Sequence, residues 1–117
     1  MHHALFVCSQ NRLRSPTAEE VFSRLPGIEC ASAGVHESAN VPLDPELIEW
    51  ADVIYVMEAI HRTKVTKKFK QYLAGKRIVV LNIPDDYEYM ESSLVELLER
   101  KVGPLLARYV ELAGRSR

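Results

Sequence analysis

A chain of 117 residues is long enough to bury one ordinary core and too short to need dividing, so residues 1–117 are read as one domain. Apolar residues make up 47% and charged residues 26%, which excludes a disordered chain, and no apolar run approaches the roughly 18 residues of a membrane span. A formal net charge of −1 argues against a general nucleic-acid binder. Met1-His2-His3-Ala4 has no basic n-region and no long apolar stretch, so no secretory signal is expected. The two cysteines, Cys8 and Cys30, are too few for a disulfide framework, and no His/Cys cluster has zinc spacing. A reducing cytoplasm is therefore the expected setting, with no metal and no other cofactor.

Ala4-Leu5-Phe6-Val7 is a short apolar run of strand length. Ser15-Pro16 reads as a helix start, with Ser15 at the N-cap, Pro16 at N1, and Glu19 and Glu20 near the first turn. Ala18, Val21, Phe22 and Leu25 keep helical spacing until Pro26-Gly27 stops them. Ile28 to Gly34 reads as a second strand, and Asp44-Pro45 opens a short helix through about Ala51. Val53 to Met57 is a nearly all-apolar third strand, as burial on both faces demands. A helix from near Glu58 to Leu73 is expected to end on Gly75, and Ile78 to Leu81 forms a fourth strand. A last helix spans about Glu91 to Ala113, where Gly103-Pro104 is expected to kink or split it.

Strand and helix in regular alternation predict an α/β fold: a parallel sheet with helices on both faces, a three-layer sandwich. Ligands of such sheets sit beyond the carboxyl ends of the strands, where the segments beginning at Cys8, Gly34, Met57 and Asn82 emerge. The topology thus brings Cys8 and the loop holding Asp85 to one side of the sheet.

Cys8-Ser9-Gln10-Asn11-Arg12-Leu13-Arg14-Ser15 runs from the first strand straight into a helix. Each part suits a phosphate. Successive backbone N–H groups in a tight loop form an anion nest, and the positive end of the following helix favours a thiolate at Cys8. Arg14 can fork two phosphate oxygens, and Ser15 can cap the helix or donate to the thiolate.

These residues resemble the signature of the low-molecular-weight protein tyrosine phosphatases, in which Cys-x5-Arg-Ser follows the first strand with Asn three residues after the Cys. Cys8, Asn11, Arg14, Ser15 and Pro16 all match, and Ala18-Glu19, Ser32-Ala33-Gly34, Ala51-Asp52 and Met57-Glu58 continue the likeness in order. Ile83-Pro84-Asp85-Asp86-Tyr87 resembles the family's acid loop. The resemblance implies a sheet order of 2-1-3-4, Cys8 as nucleophile, Arg14 as phosphate ligand and Asp85 as general acid. It assigns phosphate binding to the whole loop, Ser9, Gln10, Asn11, Arg12, Leu13, Arg14 and Ser15, and puts Tyr87 at the rim. Substrates would be phosphorylated proteins or small aryl phosphates. Four departures stand out: Gln10 where the family usually has Gly, Leu13 where it often has a second Cys, Asp86 in place of Pro, and a short segment from Gly34 to Asp44. The loop is also similar to that of the RNA polymerase II C-terminal-domain phosphatases, which lack that Gly, so a phosphoserine substrate is the second reading.

Other features read more plainly. His36 and His61 are expected at the surface near the pocket rim, and Cys30 as an apolar filler too far from Cys8 for a disulfide. The run from His61 to Arg77 carries seven Lys and Arg and no acid, which reads as a solvated helix face. Rival functions are an arsenate reductase using an external thiol, a phosphocysteine carrier and a phosphate-binding module without turnover.

Overall fold

A computed structural model of the chain describes residues 1–115. Its elements in chain order are β1 (His2–Cys8), α1 (Arg14–Phe22), β2 (Ile28–Gly34), α2 (Pro45–Trp50), β3 (Val53–Val56), α3 (Ala59–Phe69), β4 (Arg77–Val80) and α4 (Ser92–Arg115), with a 3-10 turn at Lys70–Tyr72. The four strands form one sheet in the order β2-β1-β3-β4, all parallel. This is the expected fold class and strand order. No helix among the described residues is long and apolar enough to cross a membrane.

The pleat of β1 sorts its side chains between two cores. Ala4, Phe6 and Cys8 join Ala18 and Phe22 of α1 and Leu94, Leu98, Val102 and Leu106 of α4 on one face. Leu5 and Val7 join Ile48 of α2 and Val65 and Phe69 of α3 on the other. Cys8 is thus the last side chain of a core-facing row, placed where the chain leaves the sheet.

Four expectations about element ends are corrected. Helix α1 begins at Arg14 with Leu13 at the N-cap, and Ser15 makes no capping bond because its hydroxyl is engaged with Cys8 and Asn11. The helix also ends early, at Phe22, although Leu25 still packs on the core. Gly75 does not cap α3 directly; the 3-10 turn intervenes, and Gly75, at φ 77°, closes a turn in which Lys76 N–H donates to Leu73 O. Helix α4 is not split at Gly103-Pro104, since buried Leu94 and Leu98 before the proline and Leu106 after it hold one apolar row against the sheet. Asp44 does cap α2 as expected, accepting from Leu47 N–H at 2.8 Å.

Candidate active site

The loop between β1 and α1 is held by its carbonyls. Cys8, Ser9 and Gln10 O accept from Val35, His36 and Asn40 N–H at 3.0, 3.1 and 3.1 Å, while Leu13 O accepts from Thr17 N–H and Thr17 Oγ1. Among the described residues, the N–H groups of Ser9 to Leu13 make no hydrogen bond. With every anchor on the carbonyl side, the N–H side is free to gather an anion. Asn11 makes the turn at φ 54°, a left-handed conformation that Asn tolerates better than most residues. Gln10 is not among the residues with positive φ, so this loop does not require the Gly usual at that position in the family.

Proton counting leaves the Ser15 hydroxyl hydrogen available to Cys8. Ser32 Oγ donates to Glu19 Oε1 at 2.5 Å, so it accepts from Asn11 Nδ2 at 2.9 Å. The other Asn11 Nδ2 hydrogen goes to Ser15 Oγ at 3.0 Å. Ser15 Oγ then has its own hydrogen for Cys8 Sγ, 2.9 Å away, with the Ala33 carbonyl a longer alternative at 3.4 Å.

Arg14 is 2% exposed and locked in place. Its Nη1 donates to Glu58 Oε2 at 2.6 Å and to Ile83 O at 2.8 Å, which occupies both hydrogens of that nitrogen. Nε and Nη2 remain as a side-on fork, with Asp85 Oδ1 3.6 Å from Nε. A hollow of about 210 Å³ is lined by Cys8, Ser9, Gln10, Arg12, Leu13, Arg14 and Asp85. Asp85 is 62% exposed and faces this hollow across Arg14, whereas Asp86, also exposed, does not line it.

The structure therefore divides the loop residues named from sequence. Ser9, Gln10, Arg12, Leu13 and Arg14 line the hollow; Asn11 and Ser15 lie beneath and brace it. Arg12 is exposed, with contacts at 3.5 Å to Asn40 Oδ1 and Ser38 O. Tyr87 is half-buried and packs on the core of the α1/α4 face, so it does not line the hollow as a rim residue.

His36 is exposed, as expected, but His61 is not. It is fully buried, with Nε2 2.9 Å from Ser9 Oγ, and burial together with the Arg14 charge pushes its pKa down to about 4. Glu58, the other residue the sequence reading missed, caps α3 in a reciprocal box with His61 and holds Arg14. The signal for His61 was present: His61, Val65 and Phe69 fall every four residues along one buried stripe. The remaining basic side chains of α3 are exposed, as the sequence predicts.

Cys30 lies on β2 opposite Ala4, four registers from the Cys8–Gly34 pair. That is roughly 13 Å along the strands, beyond the reach of a disulfide. Both cysteines are free, and Cys30 is half-buried rather than fully buried.

Residues 3–53 match the family model described as low molecular weight phosphotyrosine protein phosphatase. No curated protein matches. Among solved structures, the chain resembles the YwlE arginine phosphatase from Geobacillus stearothermophilus, with TM-score 0.71 and 22% identity over 95% of this chain and 97% of that one. It also resembles the tyrosine phosphatase Wzb from Escherichia coli K30 in complex with phosphate, with TM-score 0.71 and 21% identity over 91% and 96%. The low molecular weight protein tyrosine phosphatase SP-PTP from Streptococcus pyogenes gives TM-score 0.75 and 16% identity over 92% and 93%. Residues 3–53 thus resemble the low molecular weight phosphotyrosine protein phosphatases in sequence, and the chain shares the fold of these solved structures over nearly its whole length.

Proposed function

We propose that residues 1–117 form a cysteine-dependent phosphatase that hydrolyses phosphate monoesters through a phosphocysteine on Cys8. One observation carries this reading: Cys8 Sγ, with Ser15 Oγ 2.9 Å away, lies in a hollow that the Arg14 fork and the Asp85 carboxyl also line. The Cys8 thiolate attacks phosphorus while the bond to the ester oxygen breaks. Nε and Nη2 of Arg14, with the loop N–H groups, balance the charge on the phosphoryl oxygens. Asp85 gives its proton to the departing oxygen. Its carboxylate then takes a proton from water, which attacks the phosphocysteine, releasing inorganic phosphate and restoring the thiolate.

Aryl phosphates, phosphotyrosine above all, are the substrates this reading favours, since the family model is that of phosphotyrosine phosphatases. Two free thiols suit a reducing cytoplasm. Self-contained arsenate reduction has no support, because Cys30 lies too far from Cys8 to resolve it. The test is a pH-controlled assay on an aryl phosphate, with phosphotyrosine, phosphoserine and phosphoarginine peptides alongside and acid trapping of the covalent intermediate. Cys8→Ser is expected to abolish turnover yet still bind inorganic phosphate, because Arg14 and the loop N–H groups remain. Hydrolysis by Cys8→Ser at the parent rate would refute the assignment.

A further inference from the structure

His61 is buried beneath the hollow and, among the described residues, is hydrogen-bonded to its lining through Ser9. Its hydrogen-bond partners fix where its proton sits. Glu58 N–H donates to Nδ1 at 3.0 Å, so Nδ1 carries no hydrogen. A neutral imidazole has one N–H, which must then be on Nε2. Nε2 lies 2.9 Å from Ser9 Oγ and 3.9 Å from Glu58 Oε2, so the hydrogen goes to Ser9. Ser9 Oγ is thereby an acceptor toward the protein, and its own hydrogen has no other partner among the described residues. Ser9 lines the hollow.

We propose that His61 is a positioning residue that fixes the Ser9 hydroxyl as a hydrogen-bond donor to the bound phosphoryl group, through the Glu58 N–H to Nδ1 and Nε2–H to Ser9 Oγ relay. This rests on the phosphatase reading above, since the group Ser9 addresses is the phosphate bound over Cys8. A Ser9 hydroxyl with no such neighbour would rotate freely and could equally turn its lone pairs toward the anion. The same box ties both ends together: Glu58 orients Arg14 through its carboxylate, while its backbone orients His61. The charged groups around the imidazole are Arg14 from α1, Glu58 and Lys64 from the start of α3, and Asp85 from the loop after β4. Burial and the nearby Arg14 keep the ring neutral over the working range, with a pKa of about 4, so the relay keeps its polarity at neutral pH.

Two measurements test this. Nitrogen-detected NMR of the imidazoles in the intact chain should show His61 neutral at pH 7, protonated at Nε2, and insensitive to pH down to about 5. A proton on Nδ1, or a charged ring at pH 7, overturns the proposal whatever the enzyme does. The second measurement is binding of inorganic phosphate, by calorimetry, to the wild type, Ser9→Ala, His61→Ala, His61→Gln and the Ser9→Ala/His61→Ala double variant. Ser9→Ala is expected to weaken phosphate about 10-fold, the scale of one hydrogen bond to a charged group. His61→Ala should weaken it less, His61→Gln should recover part of that loss by supplying an N–H, and adding His61→Ala to Ser9→Ala should cost nothing more. Independent, multiplying effects in the double variant overturn the relay, as does unchanged binding in Ser9→Ala. Should the His61 variants fail to fold, Ser9→Ala and the tautomer of the wild type still decide. A wild type that binds no phosphate defeats the functional reading and this inference with it, while binding with multiplying effects defeats the inference alone.

Discussion

Arg14 commits both hydrogens of Nη1 to Glu58 and the Ile83 carbonyl, leaving Nε and Nη2 as the edge that meets an anion. An acid serving that anion would approach from the side of that edge, where Asp85 Oδ1 lies 3.6 Å from Nε. Asp85→Asn should therefore slow hydrolysis most for esters of weakly acidic phenols, where the departing oxygen most needs a proton; general acid assistance is typically worth ~10²–10⁴-fold. Asp86→Asn should change the dependence on phenol pKa little. A series of aryl phosphates read on all three proteins checks this, and a steeper slope for Asp86→Asn would transfer the role. The two thiols should also part in reactivity. Burial, reinforced by Glu19, pushes the Cys30 pKa up to about 12, so at pH 7 Cys30 is a thiol. Iodoacetate at neutral pH, followed by mapping of the labelled peptide, should modify Cys8 and leave Cys30 free, with inorganic phosphate slowing the reaction. Labelling of Cys30 first would show that the environments have been read the wrong way round.

At the scale of elements, sequence periodicity was a good guide wherever the core set the pattern. The four strands, the Asp44-Pro45 helix start and the apolar row of α4 were legible because each buries side chains at a regular period. Element ends were less so, because they depend on partners far along the chain. Ser15 has the chemistry of an N-cap, but Cys8 and Asn11 claim its hydroxyl. Pro104 should break an isolated helix, but α4 is held by its packing on the sheet. That Cys8, Arg14 and Asp85 would gather at one hollow was legible from one loop and one motif, whereas Glu58 and His61 enter only through tertiary contacts with Arg14 and Ser9. Gly34 shows how β2 and the loop constrain each other. A Cβ there would lie 2.5 Å from Ala39 Cβ, 2.7 Å from Ser9 O and 3.0 Å from Asn11 N. Gly34→Ala should cost about 1–3 kcal/mol in urea unfolding, the usual scale of overpacking. It should also weaken phosphate binding, because two of the three crowded atoms belong to the loop. Loss of stability with binding unchanged would mean that the strain is relieved at Ala39 instead.

For the molecule as a whole, the buried histidines predict how stability responds to acid. His61 has a folded-state pKa of about 4 against an ordinary value of 6.5, and His2, stacked on Tyr109, is lowered in the same direction by burial. The unfolded chain therefore takes up protons on these rings as pH falls through about 6.5, while the folded chain still holds them neutral. Between those limits the unfolded state binds more protons, so stability is full above about pH 6.5 and declines toward pH 4. For His61 alone, a shift from 6.5 to about 4 corresponds to a loss of up to about 3 kcal/mol. Glu91, whose pKa is lowered from 4.5 by Ser93 and Glu88, adds its own loss only below that value, so the upper part of the window belongs to the histidines. Urea unfolding of the wild type and His61→Gln at pH 7, 6, 5 and 4.5 measures the effect. The variant should be less stable at pH 7, where it lacks the well-packed imidazole, but should lose less on acidification, so the two curves converge. Curves that stay parallel from pH 7 to 4.5 would mean that His61 takes up its proton alike in the folded and unfolded chain, and the buried neutral ring would have to be given up.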